Sequence, residues 1–310
     1  MTLESFISNN VAVQKGSIMV DPKNNLSVGA ASNLSFFTDQ LTAFDIWLEF
    51  GTAESEPPEQ LPVVLQALLS QTHRLRALFL LRKYLSLGPS AVNLSLMVGI
   101  YPYILKLLQS PADDIKQTLV SIWACIMGFD PTCRQELIRE KAQAYFIQFL
   151  QAKGLPANNR CMAAFVLAEM CNQHKEGQQT CLHMGLHRVC TTTLSQPEVQ
   201  ESSSLKKWIC LCLYKLCEEF SWAKYLCITE AGHTQLYPLL TDPDPTVRTA
   251  AVLALGEVFG ASTLSSSLAA GAGSASAPGT PSRSGMLSPA MDSRGRQMSF
   301  NGTVEERDLR

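Results

Sequence analysis

The chain has 310 residues, 46% of them apolar and 17% charged, with a formal net charge of −2. That is enough apolar chain for a large buried core, and the near-balanced charge gives no electrostatic case for nucleic acid or for an anionic membrane surface. No uninterrupted apolar run reaches the roughly 18 residues that a membrane-spanning helix needs, so none is expected.

Residues 1–33 are polar and turn-rich, with "DPKNN" at 21–25, and read as an irregular lead-in. Their start, "MTLESFISNNVAVQKGS", lacks the basic-then-apolar layout of a secretory signal. From residue 34 to residue 260 nearly every stretch has helical periodicity, and no convincing alternating strand interrupts it. Glycine or proline breaks recur every ten to twenty residues, among them "GTAESEPPE", "SLGPS", "MVGIYP", "QSPADD", "KGLPANN" and "TDPDP".

The most basic of these segments is "HRLRALFLLRKYLSLG", residues 73–88. His73, Arg74, Arg76, Arg82 and Lys83 alternate with Leu75, Leu78, Leu81, Leu85 and Leu87. This is the pattern of an amphipathic helix with a cationic face, and arginine clusters also recognise acidic motifs. Arg74 and Arg76 are therefore candidate partner contacts. Tyr103, at the start of the helix after "GIYP", is a third, with a core-edge aromatic as its plain structural role.

Four segments then repeat one form: a helix ending in apolar residues, a polar break, and a longer apolar helix. The last leucines before the breaks, Leu108, Leu150, Leu194 and Leu240, are 42, 44 and 46 residues apart. A later core position, Ile126, Met170, Leu216 and Val258, steps by 44, 46 and 42. A period near 40–47 with two or three helices per unit is the signature of an armadillo or HEAT solenoid. Such a unit cannot bury its own apolar face, so stacking must supply the core. The fold expected is thus all-α, an armadillo/HEAT-type α-solenoid over residues 34–260.

The last repeat carries "DPDPTVRTAAVLALGEVFG". Asp242 is placed to cap the long helix. Val247, Ala250, Ala251, Ala254, Leu255 and Val258 fall on one helical face. Gly256, inside the helix, implies close backbone approach, and Gly260 is placed to end it. The stretch resembles the HEAT consensus, in which an Asp at the turn and an Arg six positions on, here Asp242 and Arg248, form a ladder between repeats.

Beyond residue 260 the composition turns to Ser, Gly, Ala and Pro, which reads as a disordered tail over 261–310. Within it "RGRQMSF" sets Arg294 and Arg296 before Ser299, a pattern that resembles a site for basophilic kinases. Thr280 and Ser288 each precede a proline and are candidates for proline-directed kinases.

No constellation of reactive groups accompanies this scaffold. The chain has no GxxxxGK[ST], no GxGxxG and no GxSxG. His183 and His187 in "HMGLH" lie four apart near Cys181 and Cys190, but without a CxxC or HExxH they read as surface or helix-end histidines. The ten cysteines include no CxxC pair and most lie in apolar helical runs, which fits free core thiols of a cytosolic protein. No catalytic residue, cofactor or metal is expected.

The segment from "SFFTDQLTAFDIWLEFG" through "PPEQLPVVLQALLSQTHRLRALFLLRKYLSLGPSAVNLSLMVGIYPYILKLLQS" resembles the Raptor family, scaffold subunits of target-of-rapamycin complex 1. The resemblance continues more loosely through "YFIQFLQAKGLPANNRCMAAFVLAEMC" and "LYPLLTDPDPTVRTAAVLALGEVFG". It implies a non-catalytic scaffold whose solenoid binds the target-of-rapamycin kinase and meets Rag GTPases at the lysosomal or vacuolar surface. It also implies recruitment of substrates with short signalling motifs, without nucleic acid and without direct insertion into a membrane. The caspase-like domain and β-propeller of that family have no counterpart in these residues, so the sequence reads as a partial chain or a truncated gene product. A generic armadillo/HEAT adaptor of another pathway is the alternative.

Overall fold

The structure, a computed structural model, describes residues 25–50 and 56–260. Every element among them is helical. A first helix α1 (Asn25–Phe50) precedes α2 (Leu61–Ala67) and the long α3 (Arg74–Leu85). Next come α4 (Pro89–Val98), α5 (Tyr101–Leu107) and long α6 (Asp113–Phe129), then α7 (Arg134–Arg139), α8 (Gln143–Gln151) and long α9 (Ala157–Cys171). The following unit is α10 (Lys175–His183), α11 (Leu186–Leu194), the single turn α12 (Pro197–Gln200) and long α13 (Ser203–Cys217). The last is α14 (Ser221–Thr229), two 3-10 turns (Gly232–Gln235 and Pro238–Thr241) and long α15 (Pro245–Phe259). No single helix among the described residues is long and apolar enough to cross a membrane.

The long helices form one row, α3 against α6, α6 against α9, α9 against α13 and α13 against α15. The core position found by periodicity lies on this row. Ile126, Met170, Leu216 and Val258 are all buried, and Tyr84 in α3 continues the series. The architecture is an armadillo/HEAT-type α-solenoid, whose core is the sum of its repeat–repeat contacts.

Local chemistry sets the boundaries. Gly99 takes a φ of 95° and ends α4, and the Ile100 N–H folds back to the Ser95 carbonyl at 3.2 Å. That left-handed step is strained for a side chain with Cβ, and it lets α5 leave α4 at 90°. Ser202 caps α13 through the Leu205 N–H at 3.4 Å, and Gly260 ends α15 as expected.

Three expectations need correction. Helix α1 begins at Asn25, inside the segment read as an irregular lead-in, and no proline follows before Pro57 to interrupt it. The cap of α15 is Asp244, whose carboxylate accepts the Thr246 N–H at 2.8 Å. Asp242 sits two residues earlier and accepts the Asp244 N–H at 3.0 Å. Leu240 is exposed while Leu239 is buried, since this break is a 3-10 turn with a different angular step from the α-helical breaks before it. Gly256 faces open space rather than a neighbouring backbone. The six positions predicted for the buried face of α15 are all buried.

The close approach occurs instead at Gly177 in α10, where a Cβ would lie 2.0 Å from the Met170 carbonyl oxygen of α9. Two alanine substitutions should therefore act in opposite directions. Gly256→Ala should stabilise the chain by roughly 0.5–1 kcal/mol through helix propensity. Gly177→Ala should destabilise it by about 2 kcal/mol or more through overpacking. Urea unfolding of both variants checks the pair of signs.

Candidate partner-binding surface

The first landmark is a row of cations near the N-termini of the long helices. Lys116, Arg160, Lys206 and Arg248 are separated by 44, 46 and 42 residues, the same steps as the core position, and Arg74 lies 42 before Lys116. Arg74 Nε donates to the Leu68 carbonyl at 2.9 Å. Arg160, almost fully buried, donates to the Leu150 carbonyl at 2.9 Å and to Gln196 Oε1 at 2.8 Å, and lies 3.8 Å from Glu198. Lys206 donates to the carboxylate of Asp242, and both are buried. In the two central repeats the cation thus reaches the turn of the next repeat.

This changes the expected ladder. Asp242 pairs with Lys206 of the preceding repeat, not with the side chain of Arg248. Arg248 Nη1 donates instead to the carbonyls of Asp242 at 2.7 Å and Pro243 at 3.0 Å. Six residues of spacing place the guanidinium beneath its own turn, where backbone oxygens are nearer than the carboxylate. Burial alone would raise the Asp242 carboxyl. The hydrogen bonds from Lys206 and from the Asp244 N–H outweigh that and hold it below its ordinary range.

A second inter-repeat contact joins α11 to the end of α14. His187, expected at the surface or at a helix end, lies in the first turn of α11 and is buried, with Nε2 3.1 Å from Glu230 Oε2. A carboxylate only accepts, so the proton sits on Nε2. Arg188 clasps the same carboxylate from outside at 2.5 and 2.7 Å. The Arg188 hydrogen bond, helped by His187, pulls the Glu230 pKa down to about 2. Burial pushes His187 down against the opposing pull of Glu230.

The basic helix α3 is largely occupied by its own neighbours. Arg76 Nη2 donates to Thr42 Oγ1 at 3.0 Å, and Lys83 pairs with Asp45 at 3.0 Å, so both tie α3 to α1. Arg82 and Lys83 lie 5.2 and 5.1 Å from the ring of Phe79. Tyr103 is half-buried and packs against the core. The neighbouring Tyr101 makes the specific contacts, a hydrogen bond to the Cys133 carbonyl at 3.2 Å and an edge-on packing with Trp123 at 5.5 Å. Thr280, Ser288 and Ser299 lie outside the described residues.

Sequence reasoning missed a series of large, partly exposed apolar groups along the row, with an aromatic pair at its centre. Phe79, Phe165, Leu211 and Leu253 occupy one helical position in successive long helices, with the smaller Ser121 in α6. Phe165 of α9 packs edge-on to Trp208 of α13 at 4.9 Å, and both stay partly exposed. Lys207 lies 5.7 Å from the Trp208 ring and Lys215 4.9 Å from that of Tyr214. Cations over partly exposed rings give a surface that accepts apolar and acidic groups together. Each ring lies in an apolar run that read simply as core. The signal was the recurrence of a large apolar residue at that position in four of the five long helices.

Known proteins match this architecture. A HEAT repeat model matches residues 234–260. The chain is 52% identical over 225 residues to the protein raptor homolog of Dictyostelium discoideum, covering 73% of this chain and 15% of that protein. It is 42% identical over 232 residues to the target of rapamycin complex 1 subunit mip1 of Schizosaccharomyces pombe, covering 73% of this chain and 17% of that protein. The crystal structure of Chaetomium thermophilum Raptor superposes with a TM-score of 0.72 at 38% identity, covering 81% of this chain and 23% of the other. The chain thus spans under a quarter of the length of each.

Two outcomes follow from the inter-repeat contacts. Asp242→Ala strands a buried lysine and should cost about 3 kcal/mol or more, whereas Lys206→Met combined with Asp242→Leu should recover most of that loss; urea unfolding measures both. Glu230 has a folded pKa of about 2 against an ordinary 4.5, so its contribution is complete above pH 4.5 and fades as pH falls toward 2. The stability difference between the natural chain and Glu230→Gln should shrink across that window, as followed by thermal melts at stepped pH.

Proposed function

The helical region of this chain is homologous to the armadillo/HEAT region of Raptor proteins, and from that premise we propose that it is a non-catalytic scaffold of target-of-rapamycin complex 1. In this reading it binds the target-of-rapamycin kinase through its solenoid. It helps bring substrates with short signalling motifs to that kinase and engages Rag GTPases, which draw the complex from the cytoplasm to the lysosomal or vacuolar surface. The observation that carries the reading is identity of 42–52% to proteins named as Raptor or as a subunit of that complex.

The physical surface supports such a role. A stack held by buried ion pairs keeps its long helices in fixed register, so their exposed groups are presented at set spacings. The partly exposed Phe165 and Trp208, flanked by Lys207, are the groups best suited to anchoring a partner. Large apolar anchors ringed by polar groups carry most of the free energy in protein contacts.

Capture of the purified kinase, and separately of purified Rag GTPases, by the full chain tests the proposal. Binding of the kinase is expected, and the double variant Lys207→Glu, Trp208→Ala should weaken capture about tenfold or more with an unchanged circular dichroism spectrum. Failure of the folded chain to bind either protein would overturn the scaffold reading. Undiminished capture by the double variant would remove the aromatic pair from the contact.

A further inference from the structure

Two pairs of buried thiols recur at the spacing of the repeats. Cys217 ends α13 and Cys227 lies in α14, and their sulfurs are 3.8 Å apart. One repeat earlier, Cys171 ends α9 and hydrogen-bonds Cys181 in α10. Both members step by 46 residues, from 171 to 217 and from 181 to 227, as Met170 steps to Leu216. In each pair the end of a long helix meets the short helix that follows it.

Packing alone accounts for a buried cysteine, which fills space as a small apolar group. The Cys217–Cys227 pair has a further property, an unequal hold on its protons. The Cys217 thiol donates to the Cys227 sulfur, which favours a thiolate there and holds Cys227 below the ordinary thiol range against the cost of burial. The same bond, with burial, holds Cys217 well above that range. Cys125 and Cys133, the two cysteines that are only partly buried, have no thiol donor, and desolvation raises both, Cys133 to about 12. A thiolate beside a protonated thiol is the arrangement of a redox-responsive cysteine and its resolving partner.

We propose that Cys217 and Cys227 are a redox modification site, which hydrogen peroxide closes into a reversible disulfide between α13 and α14. The Cys227 thiolate attacks one peroxide oxygen and the O–O bond breaks, giving a sulfenic acid and a hydroxide that takes up the proton Cys227 had released. The Cys217 sulfur then attacks the Cys227 sulfur. The S–O bond breaks, and the departing hydroxide leaves as water with the Cys217 proton. Two thiols and one peroxide thus give one disulfide and two waters; the sulfurs are oxidised by two electrons and the peroxide is reduced. The sulfurs, already in van der Waals contact at 3.8 Å, must close to about 2.05 Å. Cys217 is fully enclosed and Cys227 is 3% exposed, so peroxide, scarcely larger than water, enters by local opening of α14, a helix of nine residues. The bridge closes a short loop and restricts the open states of α14, whose end carries Glu230 to His187. This chemistry is independent of the scaffold reading above.

The test takes the full chain, reduced and then freed of reductant, through a titration with hydrogen peroxide. Remaining thiols are blocked with N-ethylmaleimide, and peptides are mapped by mass spectrometry without reduction. At the lowest dose that oxidises the folded chain, the peptides holding Cys217 and Cys227 should be joined and two hydrogens lighter, while Cys125 and Cys133 are still alkylated. Dithiothreitol should restore both thiols. Amides of α14 should exchange with deuterium about tenfold or more slowly in the oxidised chain. Cys217→Ala, with its fold checked by circular dichroism, should abolish the bridge and the slowing alike. Oxidation of Cys125 or Cys133 before the pair, bridging of Cys227 to another cysteine, or a pair that stays reduced until the chain unfolds overturns the proposal. So does unchanged exchange of α14 in the bridged chain.

Discussion

Each repeat is unable to bury its own apolar face, and everything else in the molecule follows from that shortfall. A long helix with alanine, leucine and cysteine on several sides is unstable in water alone, so α6, α9 and α13 each lie between two others. Apolar stacking provides most of the free energy, but it is non-directional and would tolerate slippage. The cations supply direction. Lys206 to Asp242 and Arg160 to Gln196 and Glu198 tie the start of one long helix to the turn of the next, and His187 to Glu230 ties the shorter helices. A buried charge left unpaired is costly, so a register that breaks these contacts is strongly disfavoured.

That register is what a scaffold needs. A partner reading a surface assembled from several repeats requires side chains on different helices to stay at fixed distances. Phe165 and Trp208, from successive long helices, do so through an edge-on ring contact, with cations at the rim. The basic helix α3 uses much of its charge differently. Arg76 and Lys83 join α3 to α1 and so help to seat the first helix. Stacking also explains the ten free cysteines, eight of them buried: they are small, soft apolar groups at positions where neighbouring helices approach closely.

Much of this was legible in the sequence because the period of the repeat is long and regular. The solenoid, the core series from Ile126 to Val258 and the buried face of α15 follow from spacing alone. What escaped were facts that depend on a second repeat. The spacing of Asp242 and Arg248 marks the turn, yet the partner of Asp242 is 36 residues upstream, out of reach of any local pattern. His187 reads as a helix-end histidine until the end of α14 is folded onto it. Gly256 and Gly177 are alike as letters in a helical run, and only the position of α9 decides which one has a carbonyl against it. The aromatic pair was hidden because a partly exposed ring and a core ring have the same hydropathy.

The account holds that stability passes from repeat to repeat, with the interior of the stack doubly supported and α15 supported on one side among the described residues. Native-state hydrogen exchange on the full chain tests this most directly, since it reports the free energy of opening helix by helix. The amides of α9 and α13 should be the most protected, and those of α15 should exchange through openings of distinctly lower free energy. Protection of α15 equal to that of α9 would contradict the account, because it would mean that stacking on both faces is not what holds the long helices.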